Sequence, residues 1–165
     1  MTRLIKEIDA VEAVFSRADS IAEVVEDRIR SATDSIHAAI YRFNSRRIAR
    51  ALRDAHRRGV KVRLVIDQSR YVRSRATREL LASAIYPFRL ARGRNGEGSK
   101  MHHKFVVLDE YAVLTGSYNW TYASEEKNHE GLLILKGSAL IEAHLREFAE
   151  LWEDGIRPPA TDEAG

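Results

Sequence analysis

Residues 101–119 read MHHKFVVLDEYAVLTGSYN. Two apolar runs flank the polar break Asp109-Glu110-Tyr111, which predicts two buried strands, His103–Leu108 and Ala112–Thr115, joined by a tight turn. His102 and Lys104 stand two apart at the start of the first strand, so their side chains project to one side, while His103 points the other way. His103 is therefore assigned to packing or to support of the site from behind. Ser117 and Asn119 are again two apart as the chain leaves the second strand. An extended Gly116–Asn119 brings an imidazole, an ammonium, a hydroxyl and an amide to one patch.

Working outward, the flanking sequence alternates strand and helix signals. Val11–Phe15 reads as a short strand. Ser20–Ser31 sets Ile21, Val24, Val25 and Ile29 at helical spacing behind a cap at Asp19 or Ser20. Ser35–Phe43 (SIHAAIYRF) is strand-like, and Asn44 or Ser45 then caps a helix over Arg46–Arg58 that Gly59 ends. Val60–Ile66 (VKVRLVI) is a strand running into Asp67, Arg73–Ala82 a helix, and Pro87–Leu90 a short strand. Arg92–Lys100 (RGRNGEGSK) is too rich in glycine for regular structure, and a flexible segment is expected. Downstream, His129–Leu135 is a further strand and Ser138–Trp152 an amphipathic final helix. Residues 1–155 are expected to form a single domain, and residues 156–165 a disordered tail. No internal repeat is visible. The alternation predicts an α/β fold, a three-layer α/β/α sandwich with a mixed β-sheet.

The clustered side chains suit a phosphodiester. Displacement at phosphorus needs a nucleophile, donors for the nonbridging oxygens and an acid for the leaving alkoxide. An imidazole with its ordinary pKa near ~6.5 keeps a neutral fraction at neutral pH, which makes His102 the candidate nucleophile. Lys104 and Asn119 can donate to phosphoryl oxygens without a metal. Ser117 either contacts phosphate or caps the segment that follows. Glu130 is placed to accept from the second nitrogen of His102 and fix its tautomer, as the acid does in hydrolase triads. Asp109, at a strand end, suits a turn or an ion pair and is assigned structural support. A metal site built from His102, His103, His129, Asp109 and Glu130 is disfavoured, because adjacent strand residues diverge and no His-x-x-x-His helix pair occurs. Neither a metal nor a cofactor is expected.

The pattern His102-x-Lys104, four residues, Asp109, six residues, Gly116-Ser117-x-Asn119 resembles the signature of the phospholipase D superfamily at every fixed position. The strings MHHKFVVLD, TGSYNWT and NHE look like that family too, as do FSRAD, SIHAAIYRF and RRGVKVRLVID upstream. The likeness runs from about Val11 to Leu151. It implies a phospholipase D-like fold and a two-step reaction: one histidine attacks phosphorus to form a phosphohistidine, a second protonates the leaving group, and water releases the product. Most phospholipases D carry the motif twice, whereas this chain carries it once. It is in this respect similar to the small single-motif members, the bacterial nonspecific endonucleases and the mitochondrial cardiolipin hydrolase/Zucchini type, whose second motif comes from a twofold-related subunit. The resemblance thus implies a homodimer with the site at its interface.

Composition bears on the substrate. The chain has 165 residues, a formal net charge of +3 and no cysteine, so disulfides and zinc–thiolate sites are excluded. Between Arg42 and Lys104 there are 18 Lys and Arg against four Asp and Glu, leaving nine basic and 20 acidic residues elsewhere. Such segregation is the footprint of a polyanion-binding surface. Nucleic acid is the expected partner, with Arg42, Arg46, Arg47 and Lys100 as candidate phosphate contacts. Trp120, Tyr118 and Tyr122 could stack on bases, although aromatic residues beside a buried strand more often belong to the core. No apolar run reaches the ~20 residues of a membrane span and no secretory signal is seen, so no integral membrane association and a cytoplasmic location are expected. The rival readings are a phospholipid (cardiolipin-like) phosphodiesterase and a non-catalytic nucleic-acid-binding module. An intact nucleophile set argues against the latter.

Overall fold

The computed structural model describes residues 8–158. Its elements are β1 (Ala10–Phe15), α1 (Ile21–Ser31), β2 (Ser35–Ile40), α2 (Arg46–Arg57), β3 (Lys61–Asp67), α3 (Gln68–Arg73), α4 (Arg75–Ala82), β4 (Phe88–Gly93), β5 (Gly96–Lys100), β6 (Lys104–Leu108), β7 (Ala112–Gly116), α5 (Tyr122–Glu126), β8 (Gly131–Lys136) and α6 (Ser138–Asp154). The helices start where side chains replace the missing intrahelical acceptors. Ser20, Ser45, Asp67, Ser74 and Thr121 each accept from the backbone N–H three residues on, each cap being worth about 1 kcal/mol.

The strands form one eight-stranded sheet in the order β1-β8-β7-β6-β2-β3-β4-β5. β2, β3 and β4 run parallel, and β2–β6, β6–β7, β7–β8, β8–β1 and β4–β5 are antiparallel. Alternate residues feed two cores. Ile36, Ile40, Leu64, Ile66, Val106 and Leu114 meet Ile21, Val25 and Ile29 of α1, Ile48 and Leu52 of α2, and Leu81 of α4. Ala39, Val65, Phe105, Val107 and Val113 meet Leu140, Ile141, Phe148 and Trp152 of α6. This is the α/β/α sandwich with a mixed sheet expected from strand–helix alternation. Among the described residues, one of its outer layers consists of α6 alone.

Three local features depart from expectation. Arg92–Lys100 is not irregular: Arg92 pairs with Lys100 and Gly93 with Gly96 in a bulged β4–β5 hairpin, and Gly96, at φ 69, takes the left-handed position that such a turn needs. The sequence around Arg73–Ala82 holds two helices, α3 and α4, broken at Ser74, which caps the second. Ile156, placed in the expected tail, exchanges two backbone hydrogen bonds of 2.8 Å with Leu90. The expected tail beyond Pro158 lies outside the described residues. The β6–β7 turn is tight as anticipated, with Asp109 and Glu110 both at positive φ.

Candidate active site

The site is set by strand ends. Because β2 and β3 are parallel and β6 runs against β2, the ends of β2 and β3, the start of β6 and the end of β7 share one edge of the sheet. Ile40 pairs with Lys104 and Phe105 with Thr115. The Met101–His103 segment is pinned there from both sides. Asp67, only 1% exposed, accepts from Met101 N at 2.9 Å, Ser69 Oγ at 2.5 Å and Arg70 N at 3.0 Å. Tyr41 N donates to the His103 carbonyl at 2.9 Å. His103 itself turns to the α6 face, where its Nε2 meets Glu147 at 2.9 Å. The two adjacent histidines thus diverge.

His102 lies against the ring of Tyr41, with centroids 4.3 Å apart. Arg70 Nε donates to the Tyr41 hydroxyl at 2.7 Å, and the same ring has Arg70 at 4.9 Å, Lys104 at 5.3 Å and Arg42 at 5.6 Å. Lys104 Nζ donates to the His102 carbonyl at 2.9 Å and lies 3.2 Å from its Nδ1. Asn119 Oδ1 accepts from Arg42 N at 3.2 Å, and its Nδ2 donors make no hydrogen bond among the described residues. The amide therefore offers donors to an incoming oxygen. Gly116 closes the site from behind: a Cβ there would collide with the Gly131 carbonyl.

Ser117 and Glu130 pair with each other. Ser117 Oγ donates to Glu130 Oε2 and accepts from Gly131 N at 3.1 Å, while Asn128 Nδ2 donates to Glu130 Oε1 at 3.1 Å. The expected Glu130–His102 hydrogen bond is not formed. Glu130 lies on the segment entering β8, which pairs with β7 rather than β6, and its carboxylate meets the nearer hydroxyl. Asp109 stands apart altogether. Five residues of strand, about 17 Å at 3.4 Å each, separate it from Lys104, and its carboxylate accepts from the backbone N–H of Thr33, Asp34 and Ser35. Burial opposes ionisation there, but those N–H groups outweigh it and hold the acid below its ordinary value. Asp109 braces the β6–β7 turn against the α1–β2 connection.

The four candidate phosphate contacts divide. Arg42 and Lys100 lie near His102 and add to the field on it. Arg47 is bound to the buried carboxylate of Glu26 and ties α2 to α1. Arg46 lines a separate cleft with Arg50, Arg53 and Glu79. Trp120 and Tyr118 are core residues, and Tyr122 is exposed. Sequence reasoning missed Asp67, Tyr41 and Arg70. The available signal was position, since Tyr41 and Asp67 sit at the carboxyl ends of neighbouring parallel strands, where α/β sheets gather their ligands.

Burial lowers the His102 imidazole below its ordinary 6.5, helped by Lys104, Lys100 and Arg42 and opposed by Asp67. Burial likewise lowers Lys104, which Tyr41 and Glu130 partly offset. A depressed imidazole stays neutral to lower pH, so an NMR titration of His102 is expected to show its midpoint below 6.5. Removing one cation with Lys100→Ala is expected to move that midpoint upward, and an unchanged or falling midpoint would contradict the electrostatic account. Asp67→Asn sets an amide NH₂ against the Met101 or Arg70 N–H. A buried donor without an acceptor costs about 1–3 kcal/mol, so a fall in urea midpoint of that size is expected, together with a shifted His102 resonance.

Between the β4–β5 hairpin and α6 runs an open groove of about 700 Å³ lined by Arg92, Arg94, Lys100, His102, Lys104 and His144, among others. Among the described residues no group of three His, Asp or Glu is disposed to hold a metal ion, and no helix is long and apolar enough to cross a membrane.

A mixed-sheet sandwich with histidine, lysine and asparagine gathered at one strand end defines the phospholipase D-like class of proteins. Residues 25–152 match the family described as cardiolipin synthase, PLD-like domain, and the chain belongs to it. The chain is 35% identical over 130 residues to a mitochondrial cardiolipin hydrolase from Xenopus laevis, covering 77% of this chain and 59% of that protein. Against the Homo sapiens cardiolipin hydrolase it is 32% identical over 123 residues, or 47% of that protein. The chain thus spans about half the length of these relatives. Among solved structures, the phospholipase D family member Nuc from Salmonella typhimurium superposes with a TM-score of 0.82 at 30% identity, covering 90% of this chain and 97% of that one. NucT from Helicobacter pylori gives 0.77 at 25% identity, covering 90% and 100%.

Proposed function

We propose that the chain is a metal-independent phosphodiesterase that cleaves nucleic acid through a phosphohistidine at His102, acting as a homodimer. The observation that carries the reading is the donor set at one sheet edge, with the Lys104 ammonium beside an imidazole whose pKa burial lowers and the Asn119 amide held there by the Arg42 backbone. Nε2 of the neutral His102 attacks phosphorus, and the P–O bond to the leaving alkoxide breaks as His102 of the second copy, in its imidazolium form, gives up a proton. That imidazole, now neutral, takes a proton from water, which displaces the first imidazole and releases the phosphomonoester. Lys104 and Asn119 hold the nonbridging oxygens, whose charge grows at each displacement. Ser117 keeps Glu130 in place behind them.

Nucleic acid is favoured as substrate because the groove leading from His102 is open and lined by Arg92, Arg94 and Lys100, a track suited to a repeating phosphate backbone. Similarity to cardiolipin hydrolases favours a second reading, hydrolysis of an anionic phospholipid. One panel separates them: labelled single-stranded and duplex oligonucleotides, and vesicles containing cardiolipin, each with excess EDTA. Oligonucleotide cleavage with intact lipid is expected. Lipid turnover with intact oligonucleotides would move the assignment to the phospholipid reading.

A further inference from the structure

α2 reads RRIARALRDAHR, and a further arginine, Arg58, stands at its C-cap. These arginines divide by face. Arg47 is bound to the buried carboxylate of Glu26, Arg57 meets Asp54 at 3.5 Å, and Arg58 Nη2 donates to the Arg30 carbonyl at 2.9 Å. Arg46, Arg50 and Arg53 stand at i, i+4 and i+7, on one stripe of the helix. Among the described residues these three make neither an ion pair nor a side-chain hydrogen bond. Arg53 Nε is closed off from solvent as well, and it too lacks a partner.

The stripe faces α4 across a cleft of about 280 Å³. Ala49 and Ala76 line it between the arginines, small side chains that leave the space open. The acid in the cleft, Glu79, is already held by Arg75 at 2.6 Å. Like charges one turn apart repel, so an anion from outside would relieve the stripe. The cleft also reaches the active edge. Asn44, at the N-terminal end of α2, lines it, and Asn44 N and Ser45 N donate to the Trp120 carbonyl at 2.9 and 3.0 Å, one residue beyond Asn119. Asn44 Oδ1 accepts from Tyr122 N at 3.1 Å, and the Tyr122 side chain is exposed there. α2 and α4 cover one face of the sheet and α6 the other. The cleft and the groove of Arg92, Arg94 and Lys100 therefore lie on opposite sides of the edge that carries His102.

We infer that the α2–α4 cleft is a second phosphate-binding site, where Arg46, Arg50 and Arg53 hold the backbone of a nucleic-acid strand beyond the scissile phosphodiester. The bound strand then crosses the sheet edge at His102, from the α6 face to the α2 face. The identity of the strand rests on the nucleic-acid reading of the active site. The roots of the three arginines spread over about 10 Å of helix at 1.5 Å per residue, a row that suits successive phosphates better than one free anion. Tyr122, beside Asn44, offers a ring on which a base stacks. A bilayer fits less well, because headgroups meet cations on a projecting surface, and these sit between two helices.

Binding is read by anisotropy of a labelled single-stranded oligonucleotide in EDTA, on a His102→Ala background so that the strand stays intact. Arg50→Ala/Arg53→Ala is expected to weaken binding and to flatten the slope of log K against log salt by about 1.4, two contacts at about 0.7 each. Arg57→Ala removes a charge from the same helix, but one paired with Asp54, and is expected to flatten the slope by less than half as much per residue. The chain has no cysteine, so Ser83→Cys, exposed on the rim of the cleft, is expected to couple to a strand carrying bromoacetyl groups on its backbone. Ser31→Cys, exposed at the opposite edge of the sheet, is not. Should the double variant fail to fold, the cysteine pair decides alone. An unchanged slope in the double variant, equal flattening by Arg57→Ala, or coupling at Ser31→Cys but not Ser83→Cys would each overturn the site. So would loss of binding to cardiolipin vesicles with strand binding intact, which assigns the cleft to lipid headgroups, or protection of Ser83→Cys by pyrophosphate but not by the strand, which assigns it to a small anion. A protein that holds the strand in the cleft but, with His102 intact, cuts no phosphodiester keeps the site and removes the proposed function. A protein that cuts, with the slope unmoved by the double variant, does the reverse.

Discussion

His102→Ala is expected to lower phosphodiester cleavage in EDTA by at least ~10⁴-fold, to the background of the assay, while binding of the same oligonucleotide survives and still weakens steeply with salt. The size of the loss follows from the role. Without the imidazole there is no atom to form the covalent intermediate, and in a dimer the same substitution also deletes the acid. The survival of binding follows from position: Arg92, Arg94 and Lys100 line the groove independently of the His102 ring, and their phosphate contacts are read by the slope of log K against log salt. Cleavage assays and fluorescence anisotropy on one preparation give both numbers. Loss of binding in step with cleavage would mean that His102 holds the fold or the substrate rather than attacking it.

Lys104→Met is expected to reduce kcat by about 10²–10³-fold, the cost of removing a donor aimed at developing charge, with a smaller rise in KM. Methionine keeps most of the length of the lysine stem while removing the ammonium that stands 5.3 Å from the centre of the Tyr41 ring, so packing is largely preserved. A second readout separates electrostatics from structure. Lys104 is one of the cations that depress the His102 imidazole, so its removal is expected to move the His102 titration upward and carry the acidic limb of the pH–rate profile with it. Arginine is not expected to restore the rate. Its planar fork is broader than an ammonium and cannot occupy the space between the His102 carbonyl and Nδ1.

How much of this was legible in the sequence depended on range. The β6–β7 hairpin, the alternation that yields the sandwich, and the grouping of His102, Lys104 and Asn119 all follow from spacing along one chain segment, where a strand's two-residue period settles which side chains meet. What required the fold was contact between segments. Arg47 reads as a free cation on α2, and only the packing of α2 on α1 reveals that Glu26 occupies it. Asp67 reads as a strand's polar end, and its burial beneath Met101 depends on three separate elements converging. Glu130 was placed near the right strands, yet spacing cannot choose between two neighbouring partners, and the hydroxyl of Ser117 takes the carboxylate. Arg92–Lys100 differs for another reason: its glycines predict a flexible segment without regular structure, although Asn95-Gly96 is itself a hairpin signal.

The central claim is that His102 attacks phosphorus, and the most direct measurement is the adduct. Wild type mixed with a short oligonucleotide in EDTA, quenched in alkali within a turnover and digested, is expected to yield the peptide containing His102 heavier by the phosphoryl fragment of the substrate, joined at an imidazole nitrogen. The same peptide unmodified throughout a burst of product, or the adduct on any other side chain, would contradict the account.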